Sequence, residues 1–303
     1  MTRSLIPSLV VSLVAFVGAA ASPASAQPGG APSLVTVAQL EPMLADPATV
    51  VFHIGEKAEY DAGHLQGARH LETRAIAAAP REGGLTLQLP EPADLEARLE
   101  ALGISDGSRI VLYMGKDWVS PLTRVVFTLD YAGLGGRTVV LDGGLPAWKA
   151  AGKPVTTDVP AAPAPGTLTL RPRPEAVADL AWVRSHAGAS GSLVIDARLP
   201  QFYTGESDNN GRIPRPGHVT GAVSAPFSTF VREDGTFKPR AELEAMLKAA
   251  GAAPGTSIAT YCHIGQQATV PYFVARMLGY DVKLFDGSYE EWARTPDAPV
   301  SKP

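Results

Sequence analysis

The chain contains two copies of one sequence unit, and this duplication limits the folds that it can adopt. Three motifs of the first half return in the second half in the same order. They are Gly63-His64-Leu65-Gln66-Gly67-Ala68 with Gly217-His218-Val219-Thr220-Gly221-Ala222, Ala93-Asp94-Leu95-Glu96-Ala97 with Ala241-Glu242-Leu243-Glu244-Ala245, and Asp142-Gly143-Gly144 with Asp286-Gly287-Ser288. Short apolar runs typical of buried strands alternate with segments of helical periodicity. This alternation predicts an α/β fold in which each copy forms a mainly parallel sheet covered by helices.

A proline-rich stretch separates the two copies. Residues 153–174 contain six prolines and few large apolar side chains, a composition typical of semi-rigid spacers that form no core. We therefore predict a first domain over residues 33–152, a linker over residues 153–174 and a second domain over residues 175–298. The long sequence distance between the repeated motifs indicates duplicated domains rather than a solenoid of short repeats.

The N-terminus has the pattern of a secretory signal. Arg3 precedes an apolar run from Leu9 to Ala21, and Ala24-Ser25-Ala26 forms an A-x-A cleavage site. We predict that residues 1–26 are removed and that the protein is periplasmic or secreted, without stable membrane association after cleavage. The alternative is a retained N-terminal anchor.

Charge and cysteine usage exclude several functions. The formal net charge is −4 at pH 7 and no basic stripe is present, which argues against nucleic acid as a partner. The histidines and the single cysteine do not have zinc-ligand spacing, so no metal is predicted. One cysteine cannot form an internal disulfide, and a leftover thiol in an oxidising compartment is a candidate reactive group.

That single cysteine, Cys262, lies between a predicted strand and a predicted helix. Ser257–Tyr261 is rich in β-branched and aromatic residues, and residues 270–279 read as a helix that ends at a glycine. A short turn into a helix can direct several unpaired N–H groups at one centre and so form an anion nest. Cys262 is therefore well placed to be a thiolate nucleophile. The alternative is a buried, inert cysteine.

The two copies differ where chemistry is expected. Met114 occupies the position of Cys262, and His53-Ile54-Gly55 occupies that of Asp196-Ala197-Arg198. The second copy also carries about eleven extra residues, 205–215. A copy that keeps the scaffold but lacks the cysteine is expected to form one wall of the site on its sibling. The alternative is that Cys262 is only a packed core residue, in which case Met114 is a different apolar side chain at the same core position.

Together these features resemble the rhodanese family of sulfurtransferases in its tandem two-domain form. The resemblance rests on the Asp196-Ala197-Arg198 strand end, the Gly217–Ala222 motif, the Cys262 loop, and Asp286-Gly287-Ser288 followed by Trp292. It implies two rhodanese-like domains, each a parallel five-stranded sheet flanked by helices, with only the second domain catalytic. It also implies that no metal or organic cofactor is required.

By the same resemblance, Cys262 takes a sulfane sulfur from a small anionic donor, becomes a persulfide, and passes the sulfur to cyanide or a thiol. The persulfide would be held by the main-chain N–H groups of His263, Ile264, Gly265, Gln266, Gln267 and Ala268. Gly265 would let the loop turn without a Cβ clash.

Departures from the family pattern bear on the donor. His263 and Ile264 stand where thiosulfate-using members often carry basic residues, and His263 also departs from the Cys-Gly-x-Gly of mercaptopyruvate-using members. Phe202 stands where the family has a donor-binding arginine. The arginines available to bind an anion instead are Arg198, Arg212 and Arg215. Arg198 could alternatively form a buried ion pair, and the other two could belong to a solvated loop.

We expect a thiosulfate sulfurtransferase, with a 3-mercaptopyruvate sulfurtransferase or a non-turnover persulfide carrier or binding module as alternatives. A cysteine phosphatase would need an arginine six positions after the cysteine. That position is Ala268, and residues 263–269 contain no lysine or arginine.

Overall fold

The structure is a computed structural model that describes residues 30–116 and 119–303. The predicted signal segment, residues 1–26, lies outside the described residues. Among the helices of the described ranges, none has the length and apolar character needed to cross a bilayer.

The first domain is a five-stranded parallel sheet with helices on its faces. Its strands are β1 (Ser33–Val35), β2 (Thr49–Ile54), β3 (Arg69–Leu71), β4 (Arg109–Met114) and β5 (Thr138–Leu141), in the spatial order β1-β5-β4-β2-β3. Its helices are α1 (Val37–Leu40), α2 (Lys57–Ala62), α3 (Pro92–Ala101), α4 (Val119–Tyr131) and α5 (Gly144–Ala150). Residues 110–114 of the central strand β4 are all buried, because helices cover both faces of the sheet.

The second domain repeats this arrangement. Its strands are β6 (Val177–Ala178), β7 (Ser192–Asp196), β8 (His218–Val219), β9 (Val223–Ser224), β10 (Ser257–Tyr261), β11 (Asp281–Phe285) and β12 (Val300–Ser301). Five of them form a parallel sheet in the order β6-β11-β10-β7-β9, and β8 pairs antiparallel with β12. Its helices are α6 (Leu180–His186), α7 (Pro200–Tyr203), α8 (Arg240–Ala249), α9 (Thr269–Leu278) and α10 (Ser288–Arg294). The predicted pair of parallel five-stranded sheets flanked by helices is confirmed.

The domains exchange equivalent contacts across an approximate two-fold relation. The Leu89 N–H donates to Asp286 Oδ2 at 2.9 Å, and the Phe237 N–H donates to Asp142 Oδ1 at 2.9 Å. Each donor lies three residues before the corresponding helix, α3 or α8, and each acceptor belongs to the repeated Asp-Gly motif. The duplication therefore extends from the fold of each domain to the way in which the domains meet.

A buried carboxylate fixes helix α4 of the first domain to α9 of the second. Asp130, 1% exposed, accepts hydrogen bonds from Tyr272 Oη at 2.7 Å, Arg276 Nε at 2.8 Å and Arg173 Nη1 at 2.8 Å. Such a buried charge is tolerated because it is paired and hydrogen-bonded. The two helices also share one apolar core, so the interface is an extension of the domain interiors.

The proline-rich stretch packs along the first domain. The Gly166 N–H donates to the Glu100 carbonyl at 2.7 Å, and the Leu170 N–H donates to Glu96 Oε2 at 2.9 Å. Leu168 between them is buried. The segment thus satisfies its backbone groups on helix α3 without forming a core of its own.

Candidate active site

Cys262 is the first residue after the central strand β10, at the carboxyl edge of the second sheet. Ligands of open α/β sheets bind at this edge, where the direction of strand order reverses. Its side chain is buried, 1% exposed, yet it lines a cleft of about 840 Å³. Helix α9 begins at Thr269 and is terminated by Gly279 in the left-handed conformation, which matches the predicted strand–turn–helix context of the cysteine.

The carbonyl groups of the loop after Cys262 are held by identified donors. The Tyr289 N–H donates to the Cys262 carbonyl at 2.9 Å, and the Glu290 N–H donates to the His263 carbonyl at 3.0 Å. Arg124 Nη1 of the first domain donates to the Gly265 carbonyl at 3.0 Å. The carbonyls of Gln266 and Gln267 accept from the first turn of helix α9. These bonds fix the orientation of most peptide planes of the loop.

The N–H groups of the same peptide planes remain available. Among the residues that the structure describes, none accepts a hydrogen bond from the main-chain N–H groups of residues 263–268. In a trans peptide the N–H points opposite to the C=O, so each anchored carbonyl directs the next N–H away from its anchor. A run of free amides at a helix N-terminus is suited to bind an anion.

Ser288 of the repeated Asp-Gly motif supports the cysteine, although it is not among the predicted site residues. Its buried Oγ accepts from the Cys262 N–H at 3.3 Å and donates to the Phe285 carbonyl at 2.8 Å. In the first domain the equivalent residue is Gly144, where a Cβ would lie 2.6 Å from Met114 Cγ. The serine and the cysteine therefore change together between the copies, a signal that was visible in the aligned repeats.

The cleft has walls from both domains. Thr86 of the first domain lines it, and the Thr86 N–H donates to Glu290 Oε2 at 2.7 Å. Arg294, which also lines the cleft, donates to the Gly83 and Gly84 carbonyls at 3.0 and 3.1 Å. The prediction that the first domain walls one side of the site is confirmed. Thr86 and Arg294 were missed because neither lies near the cysteine in sequence.

The extra residues of the second copy form another wall. Asn209, Gly211, Arg212, Ile213 and Pro214 line the cleft together with His263, Ile264, Gln266 and Gln267 of the loop. Gly265 and Ala268 of the loop are not among the lining residues, and the Ala268 side chain is buried. The insertion therefore forms part of the cleft wall.

The structure places the three candidate arginines in different environments. Arg212 is exposed and lines the cleft. Arg198 is fully buried and does not line the cleft. Its Nη2 lies 2.6 Å from Asp196 Oδ2, and its guanidinium carbon lies 3.9 Å from the centre of the Tyr289 ring. Arg215 donates to the carbonyls of Thr295 and Ala298. Of the three, only Arg212 lines the cleft, while Arg198 Nη1 is buried without a hydrogen-bond partner. Contact of Arg198 or Arg215 with the donor stays a prediction.

His263 adjoins the nucleophile as a neutral side chain. Its ring packs edge-on against Phe202, with 4.5 Å between ring centres. The pKa of His263 is lowered to about 4, mainly by burial and also by the nearby Arg198 charge, while Asp196 opposes the shift. The imidazole therefore carries no charge at neutral pH, so tuning of the thiolate by a histidine charge is not favoured.

Acidification is expected to destabilise the protein through the buried His53 and the half-buried His263. Burial is the main cause that lowers the pKa of both His53 and His263 to about 4 from the usual 6.5. Between these pH values the unfolded chain binds more protons than the folded one, so the free energy of unfolding falls as pH decreases from about 6.5 to about 4. Urea unfolding at pH 7.5, 6 and 5 measures the slope of the free energy of unfolding against pH. His263→Gln should reduce it, and an unchanged slope would contradict the assigned burial effect.

Substitution of Gly265 by alanine is expected to distort the loop. Gly265 has φ +76°, and a Cβ would lie 2.9 Å from Arg124 Nη1 and 3.0 Å from the Asp286 carbonyl oxygen. The left-handed conformation alone costs about 1–2 kcal/mol for a non-glycine residue. Gly255→Ala is the matched control, since Gly255 has φ +81° with no heavy atom within 4 Å. Thermal unfolding should show a larger loss for Gly265→Ala, and equal losses would contradict the close packing of the loop.

Within residues 30–116 and 119–303, no three histidine, cysteine, aspartate or glutamate side chains are grouped as metal ligands. The site that the described residues form is thus a buried thiol, a row of free amides and a cleft with two arginines. These features define a site that can bind a small anion beside a thiol.

Residues 36–151 and 179–295 match the family described as rhodanese-like domain, and the chain belongs to this family. The chain is 32% identical over 273 residues to the thiosulfate sulfurtransferase of Pseudomonas aeruginosa, covering 89% of this chain and 97% of that protein. It is 30% identical to a probable 3-mercaptopyruvate sulfurtransferase of the same organism (88% and 97% covered) and 31% identical to the sulfur carrier protein TtuD of Thermus thermophilus (89% and 96% covered). The solved structure of wild-type EanB has a TM-score of 0.78 at 24% identity, covers 89% of this chain and 69% of that one, and supports the fold alone.

Proposed function

We propose that the protein is a thiosulfate sulfurtransferase that works through a persulfide on Cys262. The observation that carries the proposal is the row of free main-chain N–H groups at residues 263–268, next to a thiol that lines a cleft. The name of the P. aeruginosa thiosulfate sulfurtransferase supports the same donor.

The proposed chemistry has two displacement steps. The Cys262 thiolate attacks the sulfane sulfur of thiosulfate, the sulfur–sulfur bond of thiosulfate breaks, and sulfite leaves with the bonding electron pair. Cys262 then carries a persulfide anion, which the free amides stabilise. In the second step cyanide or a thiolate attacks the terminal sulfur, the persulfide bond breaks, and the Cys262 thiolate is restored. The outcome is transfer of one sulfur atom with no external oxidant or reductant.

Arg212 and Arg294 are the groups proposed to attract the anionic donor. Both line the cleft, and Arg294 is partly neutralised by Glu290 at 2.6 Å, whereas Arg212 is exposed. A guanidinium can bind either the anionic oxygens of thiosulfate or a carboxylate. The cleft of about 840 Å³ also has room for an organic donor, which keeps 3-mercaptopyruvate as the alternative.

The donor is identified by comparing two assays of the full chain. Sulfur transfer to cyanide is measured with thiosulfate and with 3-mercaptopyruvate, and the intact protein is weighed after each donor alone. We expect a gain of one sulfur atom and a larger kcat/KM with thiosulfate. A larger value with 3-mercaptopyruvate would assign that donor instead. A persulfide that forms and transfers once without multiple turnover would assign the sulfur-carrier role.

We further propose that the protein is exported and that cleavage follows Ala26. The support is the charged, apolar and A-x-A pattern of residues 1–26. N-terminal sequencing of the protein recovered from the periplasm should begin at Gln27. Recovery of an intact Met1 N-terminus in the membrane fraction would instead indicate a retained anchor.

A further inference from the structure

The non-catalytic domain supplies one buried cation to the cysteine loop. Arg124 lies on helix α4 of the first domain and its side chain is 1% exposed. Its Nη1 donates to the Gly265 carbonyl at 3.0 Å and to Asp286 Oδ1 at 2.6 Å, and its Nη2 donates to the Leu87 carbonyl. One guanidinium therefore joins the loop, the Asp-Gly-Ser motif and the wall of the first domain.

The Gly265 carbonyl differs from the other anchored carbonyls of the loop. The carbonyls of Cys262, His263, Gln266 and Gln267 accept from helices α9 and α10, which belong to the same domain. The Gly265 carbonyl accepts instead from the first domain, through Arg124. Glycine populates positive and negative φ with little preference, so the peptide plane next to Gly265 is the one most easily reoriented.

Rotation of the Gly265–Gln266 peptide plane would place a carbonyl oxygen where the Gln266 N–H lies, among the free amides of residues 263–268. Because the N–H of Gln266 points opposite to the Gly265 carbonyl, the bond from Arg124 keeps this N–H on the side away from the first domain's guanidinium. Without the anchor, the carbonyl oxygen can turn toward the negative sulfur and the N–H away from it. Preorganised donors lose their advantage when they must reorient during the reaction.

We propose that Arg124 is a positioning residue for sulfur transfer, which holds the Gly265–Gln266 peptide in the orientation that presents the Gln266 N–H to the Cys262 persulfide. The inference rests on the proposed persulfide chemistry. It gives the first domain a role in the reaction even though Met114 replaces the cysteine there. A purely structural role, as the partner of Asp286, is the competing explanation.

The competing explanation is separated by a matched pair of variants in the full chain. Arg124→Met removes the anchor, while Asp286 keeps the Leu89 N–H at 2.9 Å. Arg276→Met is the control, because Arg276 also bridges the domains through a buried carboxylate, with 2.8 Å to Asp130, but does not contact the loop. Arg124→Lys keeps the charge and loses the fork geometry, and it serves as the conservative variant.

Three measurements decide the question: the rate constant of persulfide formation at saturating thiosulfate, the KM for thiosulfate, and the amide resonance of Gln266 before and after sulfur loading. We expect Arg124→Met to lower the rate constant about 10- to 100-fold with little change in KM, and Arg124→Lys to recover part of it. Arg276→Met should lose stability but keep the rate constant. Sulfur loading should shift the Gln266 resonance in wild type and Arg276→Met, and less in Arg124→Met.

Equal rate constants for Arg124→Met and Arg276→Met would overturn the inference and leave Arg124 a structural ion pair. If Arg124→Met does not fold, Arg124→Gln, which removes the charge but keeps a polar side chain, decides: an unchanged rate constant and Gln266 resonance in the folded protein overturn the inference, and a reduced rate constant supports it. Failure of the wild-type protein to gain a sulfur atom would instead refute the proposed function itself.

Discussion

Replacement of Cys262 by alanine is expected to lower sulfur transfer by roughly four orders of magnitude or more, because the persulfide has no other atom on which to form. Cys262 is the only cysteine in the 303-residue chain, so no second thiol can take over. The fold should persist, since alanine is an apolar residue that fits the buried position without strain and the equivalent position of the first domain holds Met114.

The measurement combines steady-state transfer to cyanide with the mass of the intact protein after thiosulfate treatment. Wild type should gain one sulfur atom and Cys262→Ala none, with similar far-ultraviolet circular dichroism and thermal unfolding as the control for folding. Turnover close to the wild-type value in a folded Cys262→Ala protein would rule out the persulfide mechanism. Loss of folding would be resolved with Cys262→Ser, which keeps the size of the side chain.

The fold was predictable because the signals for it are local and occur twice. Strands β2, β4, β5 and β10 are short runs rich in β-branched or aromatic residues, and each repeated motif lies at the same point of a strand–helix unit. The predicted strand Ser257–Tyr261 agrees with β10, and the predicted helix over residues 270–279 agrees with α9, Thr269–Leu278. Parallel pairing then follows from the alternation of strands and helices.

The site was predictable only where it follows from neighbouring residues. The context of Cys262 depends on the strand before it and the helix after it, and both are visible in the sequence. Arg124 and Thr86 reach the site from the other domain, across 141 residues between Arg124 and Gly265 and 204 residues between Thr86 and Glu290. Contacts of this kind depend on how the two domains pack, and the hydrophobic periodicity of the sequence does not predict that packing.

Arg198, at the end of strand β7, also shows that the sequence does not predict contacts made by tertiary packing. Asp196 and Arg198 are two residues apart, and this spacing is compatible either with an arginine directed at a ligand or with one that folds back on the carboxylate. In the structure the guanidinium lies against the carboxylate and the buried rings of Tyr261 and Tyr289, with ring centres 5.7 and 3.9 Å from the guanidinium carbon. Those rings come from β10 and α10, so the position of the guanidinium depends on tertiary packing.

Replacement of Arg198 by methionine is accordingly expected to affect stability more than donor binding. Its Nε and Nη2 donate to the Asp196 carboxylate at 2.9 and 2.6 Å, and Nη2 also donates to the Gly217 carbonyl at 2.7 Å. Burial alone would lower the pKa of Arg198, but hydrogen bonds and the charge of Asp196 raise it above its usual value, so the guanidinium stays charged. Removal of one partner leaves a buried carboxylate and should cost about 3–5 kcal/mol of the free energy of unfolding.

The double variant Asp196→Asn/Arg198→Met is the matched control, because it removes both charges and should recover part of the loss. Urea unfolding at pH 7 gives the free energies, and steady-state kinetics give the KM for thiosulfate. We expect Arg198→Met to unfold at much lower urea while its folded fraction retains a KM near the wild-type value. Unchanged unfolding together with a KM raised about tenfold or more would show that Arg198 contacts the donor. Since Nε and Nη2 of Arg198 are bonded to Asp196 and the Gly217 carbonyl between two tyrosine rings, a loss of stability is the expected outcome.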